Sequence, residues 1–258
     1  MNKIEVAVLD THSNPGATMV ALARLTQRGH KISTMADLKQ LFEDAKTASP
    51  TLMTNIAALP HGTIKRFCPI TVAIVGASRR FLAQARTHQV GVNYVSASLQ
   101  YSDYSGVGQF VVPYSFLGTD KESLYLNTCE DAMDVYRMLA ESTDNDSAGY
   151  AAPQGLRNIL IMQANHESWM NFIRARSCNR NTVETQYVTL RIWEELLKTP
   201  DGPEMFMMAG PDCTHGVCRE GRMCCGKPLK AKALMDVGPV DIPSNIIKQK
   251  WPLLTEED

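Results

Sequence analysis

Between Phe67 and His88 the chain changes periodicity once, and that change restricts the folds open to it. Phe67 to Val75 is β-branched and loosely alternating, which suits a strand. Ser78 then offers a side-chain oxygen for a helix N-terminus, and Arg79 to His88 reads as the helix that follows. A similar succession opens the chain. Lys3 to Leu9 suits a strand, and Pro15 to Arg28 carries Val20, Ala23 and Leu25 at helical spacing after a Pro-Gly start. Met35 to Thr47 reads as a further helix and Gln109 to Tyr114 as a second strand candidate. Thr128 with Asp131 offers a capping-box-like start to a helix with Ala132, Val135, Tyr136 and Leu139 on one face, which Asp144 to Gly149 breaks. No internal repeat is present, and the fold class expected is α+β: a mixed central sheet packed with long helices.

Leu156 to Lys198 reads as two helices separated by a polar turn at Ser177 to Arg180, with Asn181 and Glu184 able to cap the second. Val183, Tyr187, Leu190 and Leu197 then recur at core spacing. The first of the two carries Asn165, His166, Glu167, Asn171, Arg174 and Arg176 among Ile159, Leu160, Ile161, Trp169, Phe172 and Ile173. Asn165 and Arg176 stand eleven residues apart, three turns of one helix, and are expected on a common face. A polar stripe in apolar surroundings calls for a ligand or a hydrogen-bond network. A second polar concentration holds Gln84, His88, Gln89, Asn93, Ser96, Ser98 and Gln100, and reads as a ligand-facing loop or a solvated one.

Composition narrows the partners. A net charge of −1 over 258 residues gives no field that would gather polyanions, so non-specific nucleic-acid binding is not expected. No stretch approaches the length of a spanning apolar helix, and residues 1 to 30 show no secretory pattern, so a soluble, cytoplasmic protein is expected. Seven cysteines is an odd number, and Cys213, Cys218, Cys224 and Cys225 crowd one short glycine-rich segment. That crowding suits zinc or an iron–sulfur centre, or equally a reduced cluster that stabilises a loop; His215 is a competing donor and Cys178 a further partner or a small buried hydrophobe. His12, His30 and His166 carry no readable role, and Trp193 and Trp251 suit packing.

These residues together carry a resemblance. Gln84, then Thr87-His88-Gln89, then Ser98-Leu99-Gln100-Tyr101-Ser102 follow the pattern Gln-x-x-Arg-His-Arg and Ser-x-Arg-Tyr-Ser. Upstream stands His61-Gly62-Thr63; downstream stand Asn165-His166-Glu167 and Asn171-Phe172-Ile173-Arg174-Ala175-Arg176; the tail reads AGPDCTHGVCREGRMCCGK from Ala209 to Lys227. The chain resembles, from about Leu22 to Lys227, the flavin-dependent thymidylate synthases of the ThyX type. The resemblance implies a catalytic domain over residues 1–208 with a Cys-rich C-terminal extension over 209–258. It also implies a homotetramer that binds FAD, deoxyuridine monophosphate and methylenetetrahydrofolate, with NADPH as reductant, and carries out reductive methylation to thymidylate. Carried over by position, Gln84, Ser98 and Arg176 are the catalytic candidates, with Gln100 and Tyr101 joining them at the nucleotide. His61, Thr63, His88, Asn165 and Asn171 would face flavin or folate, and Thr26 sits where the family often has a serine near the cofactor.

The departures fall on charge. Thr87, Gln89, Gln100 and Glu167 stand where the family has arginines, and Gly149 stands where it has another. Charge-assisted hydrogen bonds contribute about 1.5–3 kcal/mol each, so their loss requires cations from elsewhere, and Arg79, Arg80, Arg86 and Arg174 are nearby in sequence. Three readings stay open at this point: a thymidylate synthase with relocated arginines, an enzyme of the same fold that methylates or hydroxymethylates another pyrimidine nucleotide, and a non-catalytic interaction protein of that fold.

Overall fold

The computed structural model describes residues 4–214 and 216–226. Its centre is a four-stranded sheet of β1 (Glu5–Asp10), β2 (Ile70–Ser78), β3 (Val92–Ser96) and β4 (Arg157–Ala164), in the order β1-β2-β4-β3. The helices are α1 (Pro15–Arg28), α2 (Met35–Ala45), α3 (Pro50–Ala58), α4 (Arg79–Ala85), α5 (Asp120–Ser142), α6 (Asn145–Ala148), α7 (His166–Arg176), α8 (Val183–Leu197) and α9 (Gly202–Phe206). The class is α+β as expected, but all three strand pairs are antiparallel, so the sheet is not mixed.

The largest correction concerns Leu156 to Arg176, which is a strand and then a helix. Along β4, Asn158, Leu160, Met162 and Ala164 are buried while Ile159 is exposed, a period of two. Helical patterning fails there because Ile159-Leu160-Ile161 is apolar on both faces of the strand. Asn165 is therefore the N-cap of α7, its Oδ1 accepting from Ser168 N at 3.0 Å, and Arg176 is the last helical residue. An eleven-residue rise separates them by roughly 16 Å, so they mark opposite ends of one helix.

Smaller corrections have similar causes. α4 stops at Ala85, three residues before His88, and the polar run beyond it contains the edge strand β3, paired through Val92 to Ala164 and Ser96 to Leu160. Gly91 makes that turn at φ +70°, and a side chain there would strike the Ser168 hydroxyl. Gln109 to Tyr114 forms an isolated bridge, Phe110 to Leu156, rather than a strand, and then enters a 3-10 turn. α5 begins at the Thr119 cap; Thr128 lies inside it, its hydroxyl donating back to Leu124 O at 2.8 Å. α8 is capped by Thr182, whose Oγ1 accepts from Thr185 N, and Asn181 instead donates to Ala175 O and Cys178 O. α3 has no counterpart in the sequence reading.

Two cores result. The main one lies under the sheet, with Val72, Ile74, Met162, Trp169, Phe172, Val188 and Trp193 at its centre, and Trp193 Nε1 donates to Phe206 O at 2.8 Å. The second gathers Leu99, Phe110 and Leu156 against Cys129, Met133 and Tyr136 of α5. No helix of the described residues is long and apolar enough to cross a membrane.

Candidate active site

The C-terminal end of α7 meets α4, β3 and the start of α8 in a dense polar junction. Arg176 is its hub: Nη2 donates to Gln84 O at 3.0 Å and to the Thr87 hydroxyl, and Nη1 donates to Asn181 Oδ1 at 3.0 Å. Its Nε is buried without a partner. Thr185 Oγ1 donates to Gln84 Oε1 at 3.0 Å, which fixes the amide as the N-terminal turn of α8 passes it. That junction is held by Glu184, whose carboxylate accepts from Ser78 N at 2.7 Å and Ser78 Oγ at 2.6 Å. Burial raises the Glu184 carboxyl above its ordinary range, against the lowering effect of the Ser78 donors.

His88 packs edge-on to Phe172, with ring centroids 5.2 Å apart. Burial first, then the Arg176 and Arg174 charges, lower its pKa, so the ring is neutral near pH 7. Tyr94 on β3 gives its hydroxyl to Ala85 O and His88 O at 2.8 and 2.7 Å, and burial pushes the phenol up to about 12. Of the cations named as replacements, Arg86 donates to Ser96 Oγ at 2.6 Å on this same side. Arg174 reaches the tail at Asp212, 3.5 Å away. Arg79 is held on the second core's side near Tyr104, and Arg80 lines a separate cavity beside Glu184.

The N-terminal end of α7 opens on a cavity of about 380 Å³ lined by Gly62, Lys65, His166, Glu167, Asn171 and Glu204, among others. A second cavity of about 500 Å³, bounded by Arg174 and the tail, shares Met170, Asn171 and Met208 with it. Glu167, standing where an arginine was expected, receives Arg66 Nε at 2.6 Å and lies against Gly62, where a side chain would strike its carboxylate. The sequence reading missed Lys65 and Arg66, although two cations one residue beyond His61-Gly62-Thr63 were a visible signal. It also gave His166 no role. That ring is 1% exposed, its Nε2 bonds Met205 O at 2.7 Å, and its Nδ1 is buried without a partner. Burial is the main cause of a pKa lowered to about 4, and the Met205 carbonyl opposes it.

Gln84, His88 and Arg176 are thus brought together, and Asn171 lines both cavities, whereas Asn165 caps α7 beside Gly91. His61 and Thr63 are exposed beside that entrance. Ser98, Gln100 and Tyr101 belong to the loop that packs through Leu99 on the second core; among the described residues they make no hydrogen bond to Gln84 or Arg176. Ser98 Oγ accepts from Gln100 N at 3.1 Å, and Tyr101 is 82% exposed. Gly149 abuts this loop, since a Cβ there would stand 3.2 Å from Leu99. Thr26 closes its hydroxyl on Ala23 O within α1.

Cys213, Cys218, Cys224 and Cys225 meet, with Cys178, around one cavity of about 20 Å³. Among the described residues no three His, Cys, Asp or Glu side chains are gathered closely enough to hold a metal ion. His215, Lys227 and Trp251 lie outside the described residues.

Within this antiparallel α+β fold, α4, the end of α7 and the capped start of α8 bring together an amide, an imidazole and a guanidinium. The fold matches that of a Helicobacter pylori ThyX solved with FAD and dUMP, at a TM-score of 0.61 and 17% identity over 79% of this chain and 97% of that one. It also matches the UMP/dUMP methylase PolB of Streptomyces cacaoi, at 0.62 and 15% over 81% and 97%. The family model described as thymidylate synthase complementing protein matches residues 7–199, and the chain belongs to that family. Flavin-dependent thymidylate synthases of Geobacter sulfurreducens and Clostridium tetani are 27% and 23% identical, each covering 90% of this chain and 97% and 96% of the relative.

Proposed function

We propose that the chain catalyses flavin-dependent reductive methylation of deoxyuridine monophosphate to thymidylate, with methylenetetrahydrofolate as carbon donor, NADPH as reductant and FAD as the bound cofactor. The observation that carries this reading is Arg176, whose two Nη donors are committed to the protein while its buried Nε has no acceptor. A pyrimidine carbonyl oxygen supplies that acceptor and leaves no buried donor unpaired. Gln84, oriented by Thr185, stands beside it as a second contact to the base. Ser98, Gln100 and Tyr101 approach the nucleotide from the second core, in a homotetramer where that loop closes a site on a neighbouring copy.

The residues around α7 also fit the cofactor. Two cavities joined at Asn171, with Lys65, Arg66 and Arg174 at their rims and an unpartnered imidazole nitrogen in one wall, offer cations to a diphosphate and an acceptor to a donor group. His61, Thr63, Asn165 and Asn171 would line it, and His88 would meet the flavin as a neutral ring. When bound, the flavin supplies hydride and carries the one-carbon unit. The chain's own part is to orient the base through Gln84 and Arg176, to keep Tyr94 and His88 uncharged at neutral pH, and to replace lost arginines with Lys65 and Arg66. Residues 1–208 would form the catalytic domain, with the Cys-rich segment from 209 appended, in a cytoplasmic enzyme.

The likeness to PolB favours a second reading, in which the nucleotide accepted is uridylate rather than its deoxy form. Purified protein is expected to be yellow, and its reduced flavin to reoxidise faster in the presence of deoxyuridine monophosphate. Colourless protein that takes up no added FAD overturns the proposal; a response to uridylate or cytidylate alone reassigns the substrate.

A further inference from the structure

Five cysteines lie around one void of about 20 Å³, contributed by the α7–α8 turn (Cys178) and by the tail (Cys213, Cys218, Cys224 and Cys225), and none of them is in a disulfide. Among the described residues from Gly210 to Gly226 the tail forms two short 3-10 turns, and Gly210, Pro211 and Thr214 are buried. Its contacts with the body include Arg174 to Asp212 at 3.5 Å, Asn179 Nδ2 to Cys225 Sγ at 3.8 Å and Arg180 Nη2 to Met223 Sδ at 3.8 Å. A segment with a small core gains order from a cross-link.

Two of the thiols are placed to make one. The chain from Cys218 to Cys224 reverses on itself through Gly221 at φ +54°, with Met223 N and Cys224 N donating to Glu220 O and Gly221 O at 2.9 and 3.2 Å. Both side chains return to the same void, where the Cys218 and Cys224 thiols interact. Cys224 is exposed and Cys218 half-buried, so a small oxidant reaches them, whereas Cys68 and Cys129 are buried in the body of the protein. Cys225, next in sequence, is engaged by Asn179. A disulfide needs two neighbouring thiols, and Cys218 and Cys224 line one void of about 20 Å³.

We propose that Cys218 and Cys224 are a reactive dithiol that a low-molecular-weight disulfide such as oxidised glutathione converts to an intramolecular disulfide, clasping the Cys-rich tail. One thiolate attacks the glutathione disulfide, forming a protein–glutathione S–S bond and releasing one glutathione thiolate. The other then attacks the protein sulfur of that mixed disulfide and expels the second. The two cysteines are oxidised, glutathione disulfide is reduced to two thiols, and the two protein protons pass to the leaving groups. Closing the bond fixes Gly216 to Arg219, which wall the 500 Å³ cavity against Asn171 and Arg174.

Full-length reduced protein is incubated with oxidised glutathione, free thiols are blocked, and peptides are mapped without reduction. The expected result is a Cys218–Cys224 cross-link with two glutathione thiols released per chain, lost in both Cys218→Ser and Cys224→Ser, while Cys68 and Cys129 stay reduced. Circular dichroism of each variant confirms that it is folded. A stable glutathione adduct without closure, or a cross-link joining other cysteines, overturns the proposal. So does a soft metal that co-purifies with the protein and must be chelated before these thiols react.

Discussion

The two ends of α7 treat charge in opposite ways. At the C-terminal end Arg176 is tied to Gln84 of α4, Thr87 just after it and Asn181 in the turn before α8, and the helix dipole favours a cation there. At the N-terminal end Glu167 sits where the family resemblance implies an arginine, and the dipole favours that carboxylate. Arg66 stands 2.6 Å from it, so the two charges are paired at the cavity entrance. One end is a positioned donor set and the other a rearranged rim. Substitution at the first should remove function, and at the second should tune it.

Arg176→Ala is the most severe test. It deletes the donor to Gln84 O and the unpartnered Nε together, and nucleotide affinity is expected to fall by a hundredfold or more, the equivalent of about 3 kcal/mol. Calorimetric titration with deoxyuridine monophosphate checks this, and near-normal binding would place the base elsewhere. Glu184→Ala attacks the same end indirectly. It leaves the buried Ser78 N–H and hydroxyl unpaired at the β2–α4 junction, and a loss of about 2–4 kcal/mol in urea unfolding is expected.

The N-terminal end is read best by pH. His166 is depressed to about 4 when folded against 6.5 unfolded, so the unfolded chain binds more protons between those values. Its contribution is complete above about pH 6.5 and drains as pH falls toward 4, by about 3 kcal/mol in total. His166→Gln should flatten that segment of the stability profile measured by denaturant melts from pH 7 to pH 4. The smallest effect is expected from Glu167→Gln. The ion pair with Arg66 is exposed to solvent, so the thermal midpoint should not move detectably while the salt dependence of flavin binding changes. A large fall in stability would show that this rim is structural.

Much of this was legible in the chain. Apolar spacing located α1 and α8, the Ser78 cap located the start of α4, and β-branched runs located β1 and β2, because those signals are local. Gln84, His88 and Arg176 could be singled out by their motif and do meet in space. β4 was misread because a strand apolar on both faces has no period of its own. Ser98, Gln100 and Tyr101 could be named but not placed, since the loop answers to Leu99 and the second core rather than to its own polarity.

The sequence alone determined the class of fold, the Ser78 start of α4, and the residue types of the candidate site: an amide and an imidazole one turn apart, and a guanidinium far along the chain. Only the tertiary structure decided that Asn165 and Arg176 stand at opposite ends of a helix, that Arg66 answers Glu167, and that His166 is a buried neutral ring. Those facts depend on contacts between residues as far apart in the chain as Arg66 and Glu167. Burial and Coulomb energy are set by distance in space, and no local pattern reports it.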